Sequence, residues 1–200
     1  MGGIRLSDDQ LHVGREPNDL DDLAIEFSAI LADLEIEHVF VAGYLAILTG
    51  RTRMTEDIDV IVEPLTESEV ASLVEALDAN DFWGPAMPLD EMYGNLDAGT
   101  NSWVAPDGQT TPHLEVKFPT DEYDEASLKN AIDAHVGDAV LPIGPLELQI
   151  AYKLRLGTRT DFEDAAHLYA LFRESLRTTR LETWVEKLEV TDEYERLRSI

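Results

Sequence analysis

The chain has 200 residues, of which 44% are hydrophobic, and its 15 Lys and Arg against 41 Asp and Glu give a formal net charge of −26. This balance excludes a broad basic face for gripping a nucleic-acid backbone, because attraction to phosphates needs clustered positive charge. The absence of Cys excludes disulfides and thiolate metal sites. The start of the chain lacks the pattern of a signal peptide, and no apolar run reaches the length of a membrane span. We therefore expect a soluble, cytoplasmic, folded protein.

The acidic residues are scattered through the chain rather than gathered in a tail, and only four residues are Lys. Dispersed carboxylates indicate a hydrated surface coat, which is favoured where concentrated ions screen the repulsion between them. The pattern resembles that of proteins from salt-accumulating halophiles. An ordinary acidic protein is the alternative.

The first part of the chain predicts a loose arm followed by helix, strand and turn. Residues 1–17 show no apolar period, whereas residues 20–34 repeat apolar side chains at helical spacing after a cap at Asn18 or Asp19. Residues 38–42 form a short apolar run typical of a buried strand. Gly43 ends that strand, and a short helix runs from Tyr44 to Leu48 and closes at Gly50.

The middle of the chain continues with strands and helices in alternation. Residues 57–62 predict a strand, residues 66–80 a helix with a capping box at Thr66 and Glu69, and residues 82–99 an irregular stretch. Residues 102–105 and 113–118 predict a hairpin around a Pro-Asp-Gly turn. A helix over residues 122–136, a strand over 139–142 and three or four further helices complete the chain.

These elements predict an α+β fold: a mixed sheet flanked by helices, with a C-terminal helical bundle. We expect a core over residues 18–143, a helical region over residues 146–200 packed on that core, and the loose N-terminal arm over residues 1–17. The junction lies near Gly144 and Pro145.

Asp57 and Asp59 are the first candidates for chemistry. In so acidic a chain, chance alone predicts about eight acid-x-acid triplets, so spacing by itself carries little information. Their strand context carries more, because both carboxylates leave one face about 6.7 Å apart while Ile58 and Val60 leave the other. Such neighbours repel unless a cation lies between them, and Mg²⁺ prefers oxygen ligands of this kind. Solvated surface Asp residues are the alternative.

Glu115 is a third candidate. In the strand over residues 113–118, alternation leaves Glu115 on the face opposite Leu114 and Val116. If this strand pairs beside the Asp57 strand in register, Glu115 completes a three-carboxylate cluster. A salt bridge with Lys117 or a neighbouring cation is the alternative. Two metals at such a cluster could activate an attacking hydroxyl and stabilise a leaving pyrophosphate.

The stretch from Val41 to Val62 resembles the signature of the nucleotidyltransferase superfamily related to DNA polymerase beta. In that family a strand ends in a Gly turn that opens a helix, and a strand with Asp-x-Asp follows. The Arg-x-x-x-Asp-Ile-Asp form is similar to small prokaryotic members, including toxins of toxin–antitoxin pairs. The resemblance implies that Asp57, Asp59 and Glu115 bind Mg²⁺ or Mn²⁺, and that Gly43 lets nucleotide phosphates approach the backbone.

The resemblance also implies further nucleotide-binding residues. Tyr44 stands where the family has a small residue, so its bulk, or a hydrogen bond from its hydroxyl, bears on the triphosphate. Arg51 and Arg53 beside the acidic pair suit phosphate, with pairing to surface carboxylates as their alternative. In the helical region, the resemblance places four residues near the substrate, with solvated ion pairs as the alternative: Lys153, Arg159, Asp161 and Asp164.

The function that follows is metal-dependent transfer of a nucleoside monophosphate from a nucleoside triphosphate to a hydroxyl acceptor. The acceptor is a protein hydroxyl, an RNA 3′ end or a small molecule, and the acidic surface disfavours extended nucleic acid. A small partner protein would accompany a toxin–antitoxin role. The rival hypothesis, which Tyr44 favours, is a catalytically inactive nucleotidyltransferase-like fold that acts as a binding or regulatory module.

The charge pattern generates a first prediction. Adding KCl up to molar concentration should raise the unfolding temperature steeply, because screening removes repulsion between the dispersed carboxylates. Thermal unfolding followed by circular dichroism measures this, with an equal osmolarity of sucrose as the control. Full stability in the absence of salt would contradict a high-salt adaptation.

Overall fold

The computed structural model describes residues 3–52 and 57–200, and within them a nine-stranded mixed sheet organises the chain. The strands, in chain order, are β1 Arg5–Ser7, β2 Gln10–Val13, β3 His38–Val41, β4 Asp57–Val62, β5 Phe82–Trp83, β6 Ser102–Pro106, β7 His113–Lys117, β8 Ile132–Val136 and β9 Ala139–Ile143. Their spatial order is β1-β2-β8-β9-β3-β4-β7-β6-β5. The pairs β2 with β8, β9 with β3 and β4 with β7 are parallel, and the others are antiparallel.

Helices flank this sheet and then make up the end of the chain. They are α1 Asp19–Asp33, α2 Gly43–Leu48, α3 Glu67–Ala79, α4 Met92–Asp97, α5 Glu122–Lys129, α6 Leu146–Leu156, α7 Arg159–Phe172, α8 Thr178–Lys187 and α9 Thr191–Arg198. The arrangement confirms the predicted fold class. One continuous hydrophobic cluster runs from Leu6 to Leu197, so it includes side chains of the sheet and of the C-terminal helices.

Local sequence explains where the main helices begin. Asn18 and Asp21 form a capping box at α1, and Thr66 and Glu69 form one at α3, so side chains satisfy backbone N–H groups that a helix start leaves unpaired. Gly157 ends α6 with a left-handed backbone, φ 70°, as a residue without a side chain allows. Within the described ranges, no helix is both long and apolar enough to cross a membrane.

The N-terminal segment corrects the prediction of a loose arm over residues 1–17. Strands β1 and β2 form a hairpin whose two turn residues, Asp8 and Asp9, have φ of 53° and 59°. Positive φ at both positions suits the right-handed twist of a tight hairpin, and Asp tolerates it better than most residues. The strands are too short for a clear apolar period, yet β2 pairs with β8 and buries Leu11 in the core.

Two further elements differ from the sequence prediction. The helix predicted over residues 122–136 ends at Lys129, because Ile132, Ala134 and Val136 alternate at the period of a strand and form β8. The stretch predicted as irregular contains β5 and the short helix α4, which Met92 and Leu96 anchor in the core. The predicted hairpin of β6 and β7 is confirmed, with Trp103 opposite Glu115.

A buried polar cluster joins the N-terminal segment to α1 and α2. Asp21 is fully buried and pairs with Arg15, accepts a hydrogen bond from the Asn18 backbone N–H at 2.9 Å, and accepts another from the Tyr44 hydroxyl at 2.9 Å. A buried carboxylate is tolerated only when it is paired and hydrogen-bonded in this way. Burial and the Asp21 charge hold the pKa of Tyr44 well above its usual value, so its hydroxyl stays a donor.

This cluster generates a stability prediction. Tyr44→Phe should lower the free energy of unfolding by about 1.5–3 kcal/mol, because the buried carboxylate of Asp21 loses the hydrogen bond that the Tyr44 hydroxyl donates to it. Urea unfolding measures the change, and Tyr93→Phe on α4, away from Asp21, is the matched control. A Tyr44→Phe protein as stable as the wild type would contradict the structural role.

Candidate active site

Three carboxylates meet on one face of the sheet where β4 and β7 run side by side. In this parallel pair Asp59 lies opposite Glu115, and Asp57 lies opposite His113. Alternation sends Ile58 and Val60 to the core and leaves Asp57 and Asp59 partly exposed on the other face. Carboxylate oxygens of Asp57, Asp59 and Glu115 all lie within 4.8 Å of one another, so the pairing in register that the three-carboxylate cluster required is present.

The electrostatics of the cluster fit a divalent cation. Burial, followed by the charges of Asp57 and Glu115, raises the pKa of Asp59 to about 6. Three neighbouring carboxylates repel one another unless a cation lies between them. They supply the hard oxygen ligands that Mg²⁺ or Mn²⁺ prefers, and such an ion keeps further positions for water and substrate. The residues present therefore fit such an ion.

A neighbouring side chain fixes Glu115. The Asn101 amide donates a hydrogen bond to Glu115 Oε2 at 2.6 Å, and His113 Nε2 lies 3.6 Å from Glu115 Oε1. The His113 ring is buried and stacks on Trp103 at 4.1 Å between ring centroids. The orientation of Glu115 is thus set from the β6 side of the sheet.

A pocket of about 330 Å³ opens beside Asp57 and Asp59. Its walls come from the β3–α2 turn, strands β4 and β7, and helices α5, α6 and α7. Its polar lining residues are Asp57, Asp59, Lys117, Asp124, Ser127, Gln149, Lys153 and Asp161, and its larger apolar or aromatic ones are Val41, Ile61, Tyr123, Leu148, Tyr152 and Leu156. Two of the four Lys residues of the chain therefore lie beside the carboxylates.

Lys153 and Lys117 are both held by carboxylates at the pocket wall. Lys153 Nζ lies 2.7 Å from Asp164 Oδ2 and 3.2 Å from Asp161 Oδ1, and its side chain is 3% exposed. Lys117 Nζ lies 2.7 Å from Asp124 Oδ2. Both ammonium groups favour the ionised form of Asp59, and so offset part of the rise in its pKa. The two lysines place positive charge at this part of the pocket wall, and the carboxylates that hold them offset much of it.

The turn between β3 and α2 lies at the pocket, but its backbone differs from the sequence prediction. The residue with a left-handed backbone is Ala42, with φ 58° and ψ −126°, whereas Gly43 is the first residue of α2. An L-residue in this region is strained by about 1–3 kcal/mol. Ala42 and Gly43 both line the pocket, so the turn that the sequence assigned to Gly43 begins one residue earlier.

Three side chains that were predicted to bind the nucleotide do not line the pocket. Tyr44 points into the core toward Asp21 and is 0% exposed, so neither its bulk nor its hydroxyl reaches the pocket. Arg51 pairs with Asp164 and with Glu163 at 2.6 Å, and so ties the end of α2 to α7. Arg159 is 93% exposed and pairs with Glu163 one helical turn later. For both Arg residues the structure shows the ion pairing considered as the alternative.

Arg53 lies outside the described residues. Asp161 lines the pocket, while Asp164 lies buried behind it and pairs with both Lys153 and Arg51.

Lys117, Gln149 and Tyr152 are among the pocket residues that sequence reasoning missed. A signal existed for Lys117, since it follows Glu115 by two positions and therefore shares its face of β7. The sequence carried no signal for Gln149, because its position at the pocket depends on how α6 packs against the β3–α2 turn.

Comparison with known proteins supports the fold. No protein-family model matches the chain, and no curated protein matches it. The crystal structure of an antigenic nucleotidyltransferase-like protein from Paracoccidioides brasiliensis is similar, with a TM-score of 0.56 and 18% identity over 96% of this chain and 94% of that one. The chain has a nucleotidyltransferase-like fold.

Two more distant structures also match. A CCA-adding enzyme in complex with CTP has a TM-score of 0.39 and 11% identity over 94% of this chain and 51% of that one. A tRNA-processing enzyme in an apo form has a TM-score of 0.37 and 13% identity over 92% and 58%. This chain thus spans little more than half the length of these two proteins.

The raised pKa of Asp59 generates a pH prediction. Above pH 6 Asp59 is ionised in both states, and its charge costs free energy in the folded state but not in the unfolded chain. As the pH falls toward 4, the folded state binds a proton at Asp59 and this cost of folding disappears. Asp59→Asn should therefore stabilise the metal-free protein by about 2–3 kcal/mol at pH 8, a gain that falls toward zero near pH 4. Urea unfolding with EDTA measures it.

The matched control for this prediction is Asp138→Asn, which removes the same charge from an exposed turn. Mg²⁺ should raise the unfolding temperature of the wild type and of Asp138→Asn more than that of Asp59→Asn. Equal stability of Asp59→Asn and the wild type at pH 8 would contradict the repulsion between the three carboxylates.

Proposed function

We propose that the protein transfers a nucleoside monophosphate from a nucleoside triphosphate to a hydroxyl acceptor, with Asp57, Asp59 and Glu115 binding Mg²⁺ or Mn²⁺. The observation that carries the proposal is the convergence of these three carboxylates at the edge of a pocket that also contains two lysines. A bound divalent ion supplies Lewis-acid polarisation and neutralises charge on the phosphates. The nucleotidyltransferase-like fold supports the same reaction class.

In the proposed transfer, the lysines, the β3–α2 turn and the carboxylates have different roles. Lys153 and Lys117 bind phosphate oxygens, and the turn at Ala42 and Gly43 lets phosphates approach the backbone. The acceptor oxygen attacks the α-phosphorus, and the bond from that phosphorus to the bridging oxygen breaks, so that pyrophosphate leaves. One carboxylate of the cluster receives the proton of the acceptor hydroxyl.

Arg51, Arg159 and Tyr44 have no part in this mechanism. Neither arginine lines the pocket: the ion pairs of Arg51 join the end of α2 to α7, and that of Arg159 lies on the surface. The rival hypothesis of an inactive binding module rested on the bulk of Tyr44 in the phosphate site, and the burial of that side chain removes this argument.

The acceptor and the biological setting follow from charge and resemblance. The net charge of −26 disfavours extended nucleic acid, which leaves a protein hydroxyl, a short RNA 3′ end or a small molecule. A role in a toxin–antitoxin pair, with a small partner protein, is a hypothesis that a neighbouring gene for such a partner would support.

The test is transfer of label from nucleoside triphosphates. The wild type in molar KCl should transfer α-phosphate label from at least one of the four triphosphates in the presence of Mg²⁺ or Mn²⁺, and Asp59→Asn should lose at least about a hundredfold in rate. The acceptors offered are the protein itself, a short RNA and a cell extract of small molecules.

The control for the transfer assay is again Asp138→Asn, which should keep wild-type activity. Absence of transfer to every acceptor, together with absence of metal-dependent nucleotide binding, would overturn the proposed function.

A further inference from the structure

The turn at the head of α2 holds a strained residue at the wall of the pocket. Ala42 adopts φ 58° and ψ −126°, a region that glycine occupies freely and alanine rarely. Without a restraint, the backbone at Ala42 would relax and rotate the peptide that leads into Gly43. A contact that holds Ala42 therefore also holds the pocket wall.

Gln149 on α6 supplies that contact. The Ala42 backbone N–H donates a hydrogen bond to Gln149 Oε1 at 2.9 Å, across more than a hundred positions of chain. Gln149 is 4% exposed, and its amide nitrogen donates to Ser127 Oγ on α5 at 3.3 Å, which orients the side chain. Both polar atoms of the Gln149 amide are thus hydrogen-bonded, and its oxygen is bonded to the strained residue Ala42.

Gly144 leaves the space that this side chain needs. A Cβ added to Gly144 would lie 2.5 Å from Gln149 Nε2, closer than such atoms approach, and would make a tight contact of 3.0 Å with its Cδ. The Gly144 backbone N–H also donates to the Phe40 carbonyl on β3 at 2.8 Å, two residues before Ala42. The loop before α6 is therefore fitted to the amide of Gln149 on one side and to β3 on the other.

We propose that Gln149 is a positioning residue that clamps the Ala42–Gly43 turn in the conformation that receives the triphosphate. We call Ala42, Gln149 and Gly144 the turn clamp. The proposal rests on the proposed function, because it assigns the turn to the phosphates of that substrate. The clamp acts on the phosphate end, so it supports binding of inorganic tripolyphosphate as much as binding of a nucleoside triphosphate.

The decisive variants remove the clamp or the strain it opposes. Gln149→Met keeps the length of the side chain and loses the acceptor, and should weaken binding of both ATP and tripolyphosphate, with Mg²⁺ in molar KCl, at least about tenfold. Ala42→Gly removes the strain, and its own affinity, measured in parallel, is the reference for the double variant. The double variant should bind within about threefold of Ala42→Gly, because glycine adopts this backbone without strain and so depends less on the clamp.

Two further variants separate positioning from core packing. Ser127→Ala leaves the bond to Ala42 in place and removes only the weaker contact of the Gln149 amide, so it should weaken binding of both ligands less than Gln149→Met does. Gly144→Ala displaces the Gln149 amide and should reproduce the Gln149→Met loss, again with rescue by Ala42→Gly. A Gln149→Met loss that Ala42→Gly does not rescue would overturn the proposal, as would an equal loss in Ser127→Ala.

Amide hydrogen exchange at residue 42 tests the clamp without reference to activity. The Ala42 N–H should be protected in the wild type and in Ser127→Ala, and should exchange at least about tenfold faster in Gln149→Met. If the wild type binds neither ligand, the proposed function fails, and this exchange decides the clamp alone. Equal protection in Gln149→Met and the wild type would overturn it.

Discussion

The parallel pairing of β4 with β7 is the contact on which the candidate site depends. Its register sets Asp59 opposite Glu115 and brings three carboxylate groups within 4.8 Å of one another. The cost of this repulsion is visible in Asp59, whose pKa rises to about 6 as a result of burial and of its two acidic neighbours. The side chains that compensate come from the same neighbourhood, because Lys117 follows Glu115 on the same face of β7, and α6 brings Lys153 to the pocket.

The sequence was sufficient for the parts of this arrangement that depend on local periodicity. Alternation along β4 predicted that Asp57 and Asp59 share a face, and alternation along β7 predicted the face of Glu115. The register between the two strands could only be stated as a condition, because it depends on contacts between segments far apart in the chain. The short strands β1 and β2 were missed because three or four residues are too few to establish a period.

Side-chain direction in short buried helices was harder to predict. All six residues of α2 are buried, so its sequence has no polar face from which to infer which side meets the pocket. Tyr44 follows the pocket-lining Gly43 directly, yet its ring turns to the core, where Asp21 accepts its hydroxyl. Arg51, near the acidic pair in sequence, was predicted to bind phosphate. In a chain with 41 acidic residues a cation finds a carboxylate almost anywhere, and Arg51 pairs with two carboxylates on α7.

The same excess of acid constrains what can enter the pocket. Its lining includes four carboxylates, Asp57, Asp59, Asp124 and Asp161, against two ammonium groups, and Glu115 lies at its edge. A free triphosphate would bring further negative charge into a site that is already negative, and Coulomb repulsion would oppose its entry. On the proposed function, the substrate therefore enters together with divalent cations that neutralise both the phosphates and the carboxylates. The clamped turn at Ala42 then serves a site in which charge is balanced by ions, and in which the protein contributes mainly geometry.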